Sequence, residues 1–201
     1  SGSTVSFTMN ASALNDGQYT IAYAADIPRA LNFTGSQYAV HSTSGMSPTS
    51  GTVMGWVRPT QTSDWGFWQT HDLNGANFAD WISMFSYTDG TFYFRISSAS
   101  ACCNNDLTFA TASYIPANQW THLAFTWSSN TMTIYVNGNQ IATRTFTPNA
   151  AINGSARIGQ GHDRMMKGLL DEIAVYNTPL TAAQIQARMH TRYDNTDALW
   201  G

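Results

Sequence analysis

A stretch between positions 62 and 81 combines residue types that bind small ligands. It contains Trp65, followed by His71, Asp72 and Asp80 in a polar segment rich in asparagine. Aromatic faces stack on the apolar faces of sugar rings, and Asp, Asn and His side chains hydrogen-bond hydroxyl groups. Because Trp65 precedes a glycine in a polar loop, we expect its ring to be exposed and available to a ligand. The remaining tryptophans of the stretch are expected to fill the core: Trp68 and Trp81.

A second candidate segment surrounds the only two cysteines, Cys102 and Cys103, in a long loop that continues into Asn104 and Asn105. Adjacent cysteines cannot join distant strands. They form either a vicinal disulfide ring, two reduced thiols or links to another subunit. A ring flanked by amide side chains would suit a sugar ring. Neither these cysteines nor the five histidines have the spacing of a zinc site.

The acidic residues argue against glycoside hydrolysis. Glu172 is the only glutamate, and it follows Asp171 directly. A retaining glycosidase needs two carboxyl groups about 5 Å apart. Neighbours on one strand point to opposite faces, so these two are not expected to form such a pair. We predict a structural role in local hydrogen bonding for them, and no enzymatic activity for the chain.

The composition excludes several kinds of partner and indicates the fold class. Only 10% of the residues are charged and the net charge is -3, with no basic cluster that would bind nucleic acid or an anionic membrane. Thr, Ser, Asn, Gly and aromatic residues are abundant, whereas Glu172 and Lys167 are the only residues of their types. This balance favours strands joined by turns. A chain of 201 residues is a common size for a single all-β sandwich.

Alternating apolar residues and turn signals predict about a dozen strands in two packed antiparallel sheets. Residues 52–57 are apolar on both faces and are expected to form a central strand. One helix is predicted, over 182–189 with Thr181 as its cap. Hairpins are predicted at three places: 31–33 with 38–40, 81–87 with 91–96, and 120–128 with 131–136.

Five segments carry a resemblance to a known family: Gly55-Trp56-Val57-Arg58-Pro59, Trp120 to Trp127, Ile134-Tyr135-Val136-Asn137-Gly138, Arg157-Ile158-Gly159 and Gly168 to Asn177. Together they resemble the laminin-G-like, pentraxin-related branch of the concanavalin A-like lectin and glucanase superfamily. The resemblance covers roughly residues 30 to 190. It implies an all-β, two-sheet antiparallel jelly-roll sandwich with one short C-terminal helix, and a single domain over 1–201.

The resemblance also implies where ligands bind. Sugars, proteins or calcium are held by loops at the rim or on the concave face. By position, Asp72, Asp80 and Asp163 could meet as calcium ligands across the rim, since calcium takes six to eight oxygen ligands. The segment around Asp163 adds His162 and Arg164 to the ligand-binding candidates.

The sequence therefore favours a non-catalytic carbohydrate-binding or adhesion module that acts outside the cell or on a surface, with a glycan or glycoprotein as its partner. The alternative is a structural or protein-adhesion subunit of a filament, fibre or virus-like particle, in which the same loops make self-association contacts. A glycan hydrolase or lyase is the least favoured of the three.

Overall fold

The computed structural model describes residues 4–6, 18–20, 30–71, 82–97, 105–147, 152 and 154–190. Within these ranges the chain forms two seven-stranded sheets, one two-stranded hairpin and two short helices. All strand pairings in these ranges are antiparallel except that of Thr4–Ser6 with Tyr38–Ser42. The predicted all-β jelly-roll sandwich is confirmed.

Sheet A is one of the two layers. Its strands, in spatial order, are β1 (Thr4–Ser6), β4 (Tyr38–Ser42), β13 (Ser155–Ile158), β6 (Trp65–His71), β7 (Ile82–Ser86), β8 (Thr91–Ile96) and β9 (Asp106–Ala110).

Sheet B is the second layer. Its strands, in spatial order, are β12 (Asn139–Thr145), β11 (Thr131–Val136), β10 (Thr121–Ser128), β5 (Ser50–Pro59), β16 (Lys167–Tyr176) and β2 (Gln18–Thr20), with β3 (Leu31–Thr34) also pairing with β16. The small hairpin consists of β14 (Gln160–Gly161) and β15 (Arg164–Met165). The helices are α1 (Thr111–Tyr114) and α2 (Ala182–Arg188).

An aromatic core lies between the two sheets. Alternate residues of each strand point inward, as expected for a sandwich. Phe125 of sheet B is its centre, with ring centroids 5.7 Å from Phe67, 5.5 Å from Phe92 and 5.5 Å from Phe94 of sheet A. Burial of these large rings supplies most of the force that holds the layers together.

A second, smaller core lies on the other face of sheet B, where α2 packs. It is formed by Met54, Ala124, Tyr135, Ala174, Tyr176, Leu180 and Ile185. The predicted cap of α2 is confirmed. The Thr181 hydroxyl accepts a hydrogen bond from the Gln184 backbone N–H, and the Gln184 side-chain oxygen accepts one from the Thr181 backbone N–H. Neither helix in the described ranges has the length and apolar content needed to cross a membrane.

Several predicted strands and connections are confirmed. The strand predicted to be central is β5, which lies between β10 and β16. The predicted hairpins formed by β7 with β8 and by β10 with β11 are both present. In each, a short polar turn joins two strands with alternating apolar residues.

The predicted hairpin of residues 31–33 with 38–40 is wrong. β3 pairs with β16 in sheet B, whereas β4 pairs with β13 in sheet A. The Thr-Gly-Ser turn between them carries the chain from sheet B to sheet A, so the two strands pair with different partners in different layers. The sequence also gave no indication of β9 or of α1.

Candidate functional site

Trp65 is a core residue, which corrects the expectation that it is exposed. Strand β6 begins at Trp65 itself, and its ring is fully buried with its centroid 5.4 Å from that of Phe92. A β-bulge between Gly66 and Trp68 lets Trp65, Phe67 and Trp68 all point into the core. Trp65 therefore offers no surface to a ligand, and the expected core position of Trp68 is confirmed.

Several other predicted site residues lie outside the described residues, namely Asp72, Asp80, Cys102, Cys103 and Asn104, as does Trp81, which is predicted to be a core residue. His71 is the last residue of β6. β6 and β8, the strands that precede residues 72–81 and 98–104 in the chain, both run antiparallel to β7 and therefore end at the same end of sheet A. The ligand-binding roles of these residues remain predictions.

Asn105, the residue before β9 of sheet A, is linked to the segment that follows β12 of sheet B. Its side-chain amide donates to the Thr147 carbonyl oxygen at 3.3 Å and accepts from the Thr147 backbone N–H at 3.4 Å. The residue is buried, with 6% of its surface exposed. These bonds use both ends of the amide, so the structure gives Asn105 a structural role in place of the predicted ligand contact.

A row of mostly polar residues crosses the face of sheet A that points away from sheet B. It ends in a bidentate ion pair, in which Arg95 Nε and Nη2 lie 2.7 and 2.8 Å from the carboxylate oxygens of Asp106. The row runs in register across six strands: Val40, Arg157, Gln69, Ser83, Arg95 and Asp106. We call it the polar row.

Aromatic rings lie beside the polar row on the same face of the sheet. Phe85 and Tyr93 stack with centroids 5.1 Å apart and an interplanar angle of 9°. Tyr87 meets the edge of Tyr93 at 6.3 Å, and 36% of its surface is exposed. The Arg95 guanidinium lies 5.3 Å from the Phe85 centroid and 5.4 Å from that of Tyr93. We call Phe85, Tyr87 and Tyr93 the aromatic cluster.

The hairpin of β14 and β15 lies on this face and brings His162 to the aromatic cluster. The His162 backbone N–H donates to Ser83 Oγ at 2.7 Å, and the His162 ring centroid is 5.1 Å from that of Phe85. Two glycines allow this close approach. A Cβ at Gly66 would lie 2.1 Å from the Gly161 nitrogen, and one at Gly161 would lie 2.2 Å from the Met84 oxygen.

Arg164 is placed by an ion-pair network at the edge of the aromatic cluster. Its guanidinium carbon lies 4.6 Å from the Tyr87 centroid, and Nη1 donates to Asp64 at 3.0 Å. Lys167 Nζ also donates to Asp64 at 3.0 Å. That hydrogen bond, aided by Arg164, outweighs partial burial and lowers the pKa of Asp64. The predicted candidates His162 and Arg164 are therefore neighbours on one surface.

Asp163, one of the three predicted calcium ligands, pairs with two basic side chains. Its carboxylate accepts from His162 Nδ1 and lies 3.0 Å from Arg164 Nε, so two basic groups already occupy it. Calcium favours a cluster of uncompensated oxygen ligands. Within the described residues no group of three potential metal ligands is present. The other two predicted ligands, Asp72 and Asp80, lie outside those residues.

The Asp171–Glu172 pair sits at a bulge. Pairing of β16 with β5 shifts register between Asp171 and Ala174, and Glu172 has a φ of +49°. Strict alternation of side chains therefore does not hold at this point. The Asp171 carboxylate accepts a hydrogen bond from the Glu172 backbone at 3.0 Å, which is the kind of local bond predicted for the pair.

Sequence reasoning missed the aromatic cluster and most of the polar row. The signal was available, because alternation along 83–87 and 91–95 places Ser83, Phe85 and Tyr87 on one face with Tyr93 and Arg95. The polar row, by contrast, requires the pairing of β13 with β6, two strands separated by more than 80 residues. No local pattern encodes that pairing.

Comparison with protein families identifies the class. A laminin G family model, described as concanavalin A-like lectin/glucanases superfamily, matches residues 33–186. The chain belongs to this family, and the predicted resemblance is confirmed. No curated protein sequence matches.

Solved structures share the fold over only part of their length. Domain 4 of AbnA, an extracellular GH43 arabinanase from Geobacillus stearothermophilus, solved with arabinotriose, is similar with 28% identity and a TM-score of 0.53. The match covers 69% of this chain and 66% of that one.

Two further structures are similar at lower identity. The NanB sialidase from Streptococcus pneumoniae has 20% identity and a TM-score of 0.60, covering 74% of this chain and 26% of that one. The binding domain of botulinum neurotoxin serotype D has 12% identity and a TM-score of 0.55, covering 69% and 36%. At these identities the likeness concerns the fold alone. The chain thus spans less than two-thirds of each of these three solved chains.

Proposed function

We propose that the protein is a non-catalytic carbohydrate-binding module that acts outside the cell, and that it binds glycan on the surface formed by the aromatic cluster and its flanking polar groups. The observation that carries the proposal is the set of solvent-facing tyrosines bordered by Arg95, Arg164 and His162. Stacking of sugar rings on tyrosine and hydrogen bonds from basic side chains to hydroxyls are the contacts such ligands require.

The family supports this proposal. The matching family groups lectins with glucanases, and the domain of the arabinanase that resembles this chain was solved with an oligosaccharide. Fold alone does not define function, so the aromatic cluster is the more direct argument. The scarcity of carboxylates, with Glu172 the single glutamate, supports binding without hydrolysis.

The test is a panel of immobilised oligosaccharides probed with the wild-type protein and with Tyr87→Ala. We expect the variant to lose about fivefold in affinity for the best ligand, because one stacking contact contributes about 1 kcal/mol. Tyr114→Ala is the matched control, since Tyr114 lies on α1 with a similar exposed fraction, 41% against 36%. The control should bind like the wild type.

Three results would contradict the proposal: no binding to any oligosaccharide, equal losses in both variants, or release of shorter sugars from a bound ligand. Concentration-dependent assembly without glycan binding would instead favour the structural or adhesion subunit. Running the panel with calcium and then with EDTA tests the predicted calcium dependence, which would rest on Asp72 and Asp80.

A further inference from the structure

Arg157 is a positively charged residue of the polar row, and its guanidinium group is held in one orientation. It lies on β13 between β4 and β6. Its guanidinium carbon is 4.3 Å from the centroid of the Tyr38 ring, and Nη1 donates to Gln160 Oε1 at 2.8 Å. The aromatic stack and the hydrogen bond together define the plane and the direction of the guanidinium. It is therefore oriented before any ligand arrives.

The charge of Arg157 has no carboxylate partner among the described residues. Arg95 pairs with Asp106 and Arg164 with Asp64, but no acidic side chain of the described ranges lies within ion-pair distance of Arg157. Its Nε atom is buried without a hydrogen-bond partner, and burial lowers its pKa. A guanidinium nevertheless stays protonated at neutral pH. A partly desolvated and uncompensated charge of this kind is costly unless an anion meets it.

The neighbouring amide is also unsatisfied. Gln69 lies beside Arg157 in the polar row, is 1% exposed, and its Oε1 has no hydrogen-bond partner. Three strand spacings separate Arg157 from Arg95, which is roughly 14 Å at about 4.8 Å per step. Ser83 and Gln69, which lie between these two arginines, are buried, so a ligand that reaches from the aromatic cluster to Arg157 would cross above them.

We propose that Arg157 binds the carboxylate of an acidic sugar, so that the ligand of this surface is an acidic glycan. The inference rests on the proposed function. A planar guanidinium matches the geometry of a carboxylate, and a charge-assisted hydrogen bond is stronger than one to a neutral hydroxyl. A neutral sugar would leave the charge of Arg157 uncompensated.

The experiment compares binding of trigalacturonate with binding of its methyl ester, a pair that differs in charge at the carboxyl groups. We expect the wild type to bind the acid at least tenfold more tightly. In Arg157→Gln this preference should fall to about onefold, chiefly through a loss of affinity for the acid. Arg157→Lys keeps the charge but loses the planar fork, and should show an intermediate preference.

Arg188→Gln is the matched control. Arg188 also lies over a tyrosine ring, 5.7 Å from that of Tyr176, but on α2 behind sheet B. It should keep the full preference for the acid. Thermal unfolding of each variant tests whether it is folded. The comparison of acid with ester in the wild type tests the inference even if a variant fails to fold.

Equal wild-type affinity for acid and ester would overturn the inference and leave the proposed function standing. A folded Arg157→Gln that keeps the preference would also overturn it. Competition by poly-aspartate as strong as that by trigalacturonate would reassign the site to acidic protein segments. Absence of binding to either sugar and to the whole oligosaccharide panel would overturn the proposed function and this inference together.

Discussion

At the residue scale, two buried histidines link the stability of the protein to pH. His41 donates from Nδ1 to the Ser42 carbonyl oxygen at 2.9 Å and accepts at Nε2 from Trp68 Nε1 at 2.9 Å, which requires the neutral ring. Burial lowers the pKa of His41 to about 4. Burial, with repulsion from His190, lowers the pKa of His122 to about 4 as well.

The free energy of unfolding is expected to fall as pH decreases from about 6.5 to about 4. In this window the unfolded chain binds protons at both histidines, whereas the folded chain does not, so lower pH favours unfolding. The slope is about 1.4 kcal/mol per pH unit for each histidine. Urea unfolding at a series of pH values measures it, and a flat profile across this window would contradict the argument.

His122→Phe separates the two contributions. Both ring nitrogens of His122 are buried without a hydrogen-bond partner, so phenylalanine removes a titrating group without breaking a bond. The ring can keep its edge contact with Trp56, now at 5.3 Å. We expect the slope of stability against pH to fall by about half. His190→Asn, at an exposed position, should change it little, and an unchanged slope in His122→Phe would refute the assignment.

At the element scale, the hairpin of β14 and β15 completes the candidate surface because its backbone packs directly against the backbone of β6 at Gly66. A methyl group at Gly66 would lie 2.1 and 2.2 Å from backbone atoms of Gly161 and Arg164, which cannot move as a flexible side chain can. The hairpin holds both His162 and Arg164. Its position on sheet A therefore decides whether these side chains reach the aromatic cluster.

Gly66→Ala is expected to displace this hairpin, to destabilise the protein by about 2 kcal/mol, and to weaken glycan binding. Thermal unfolding and the oligosaccharide panel measure the two effects. Gly90→Ala is the control, since a Cβ there meets nothing within 4 Å. Its only expected destabilisation comes from placing alanine at a φ of +82°, and amounts to about 1 kcal/mol. Gly90→Ala should keep full glycan binding. If Gly66→Ala also binds glycan normally, the position of the hairpin does not affect the binding surface.

At the scale of the whole molecule, one aromatic core joins the two sheets through Phe125. Truncation of this ring leaves a cavity bordered by Phe67, Phe92 and Phe94, which belong to the opposite layer. Because those rings sit on rigid strands, the cavity cannot collapse fully. Both sheets therefore depend on the same contacts.

Phe125→Ala should cost 3–5 kcal/mol of unfolding free energy, roughly the range for a buried phenylalanine. Denaturant unfolding followed by tryptophan fluorescence and by far-ultraviolet circular dichroism measures it. We expect the two signals to coincide in both proteins, as a single domain over 1–201 requires. Tyr114→Ala, on exposed α1, should cost less than about 1 kcal/mol. Two separated transitions would contradict the single domain.

The sequence by itself determined the layers and much of the local structure. Alternation predicted the central strand β5 and the hairpin of β10 with β11, and the Thr181 cap located α2. These features depend on residues close together in the chain. Local periodicity and turn chemistry are sufficient to specify them.

The arrangement of the candidate binding surface is determined only by the tertiary structure. The bulge at Gly66 turned Trp65 inward, and the change of sheet between β3 and β4 replaced a predicted hairpin. The polar row joins Arg157 to Gln69 through strands distant in sequence. Such pairings follow from how well whole strands fit together in three dimensions, and this fit leaves no local pattern in the chain.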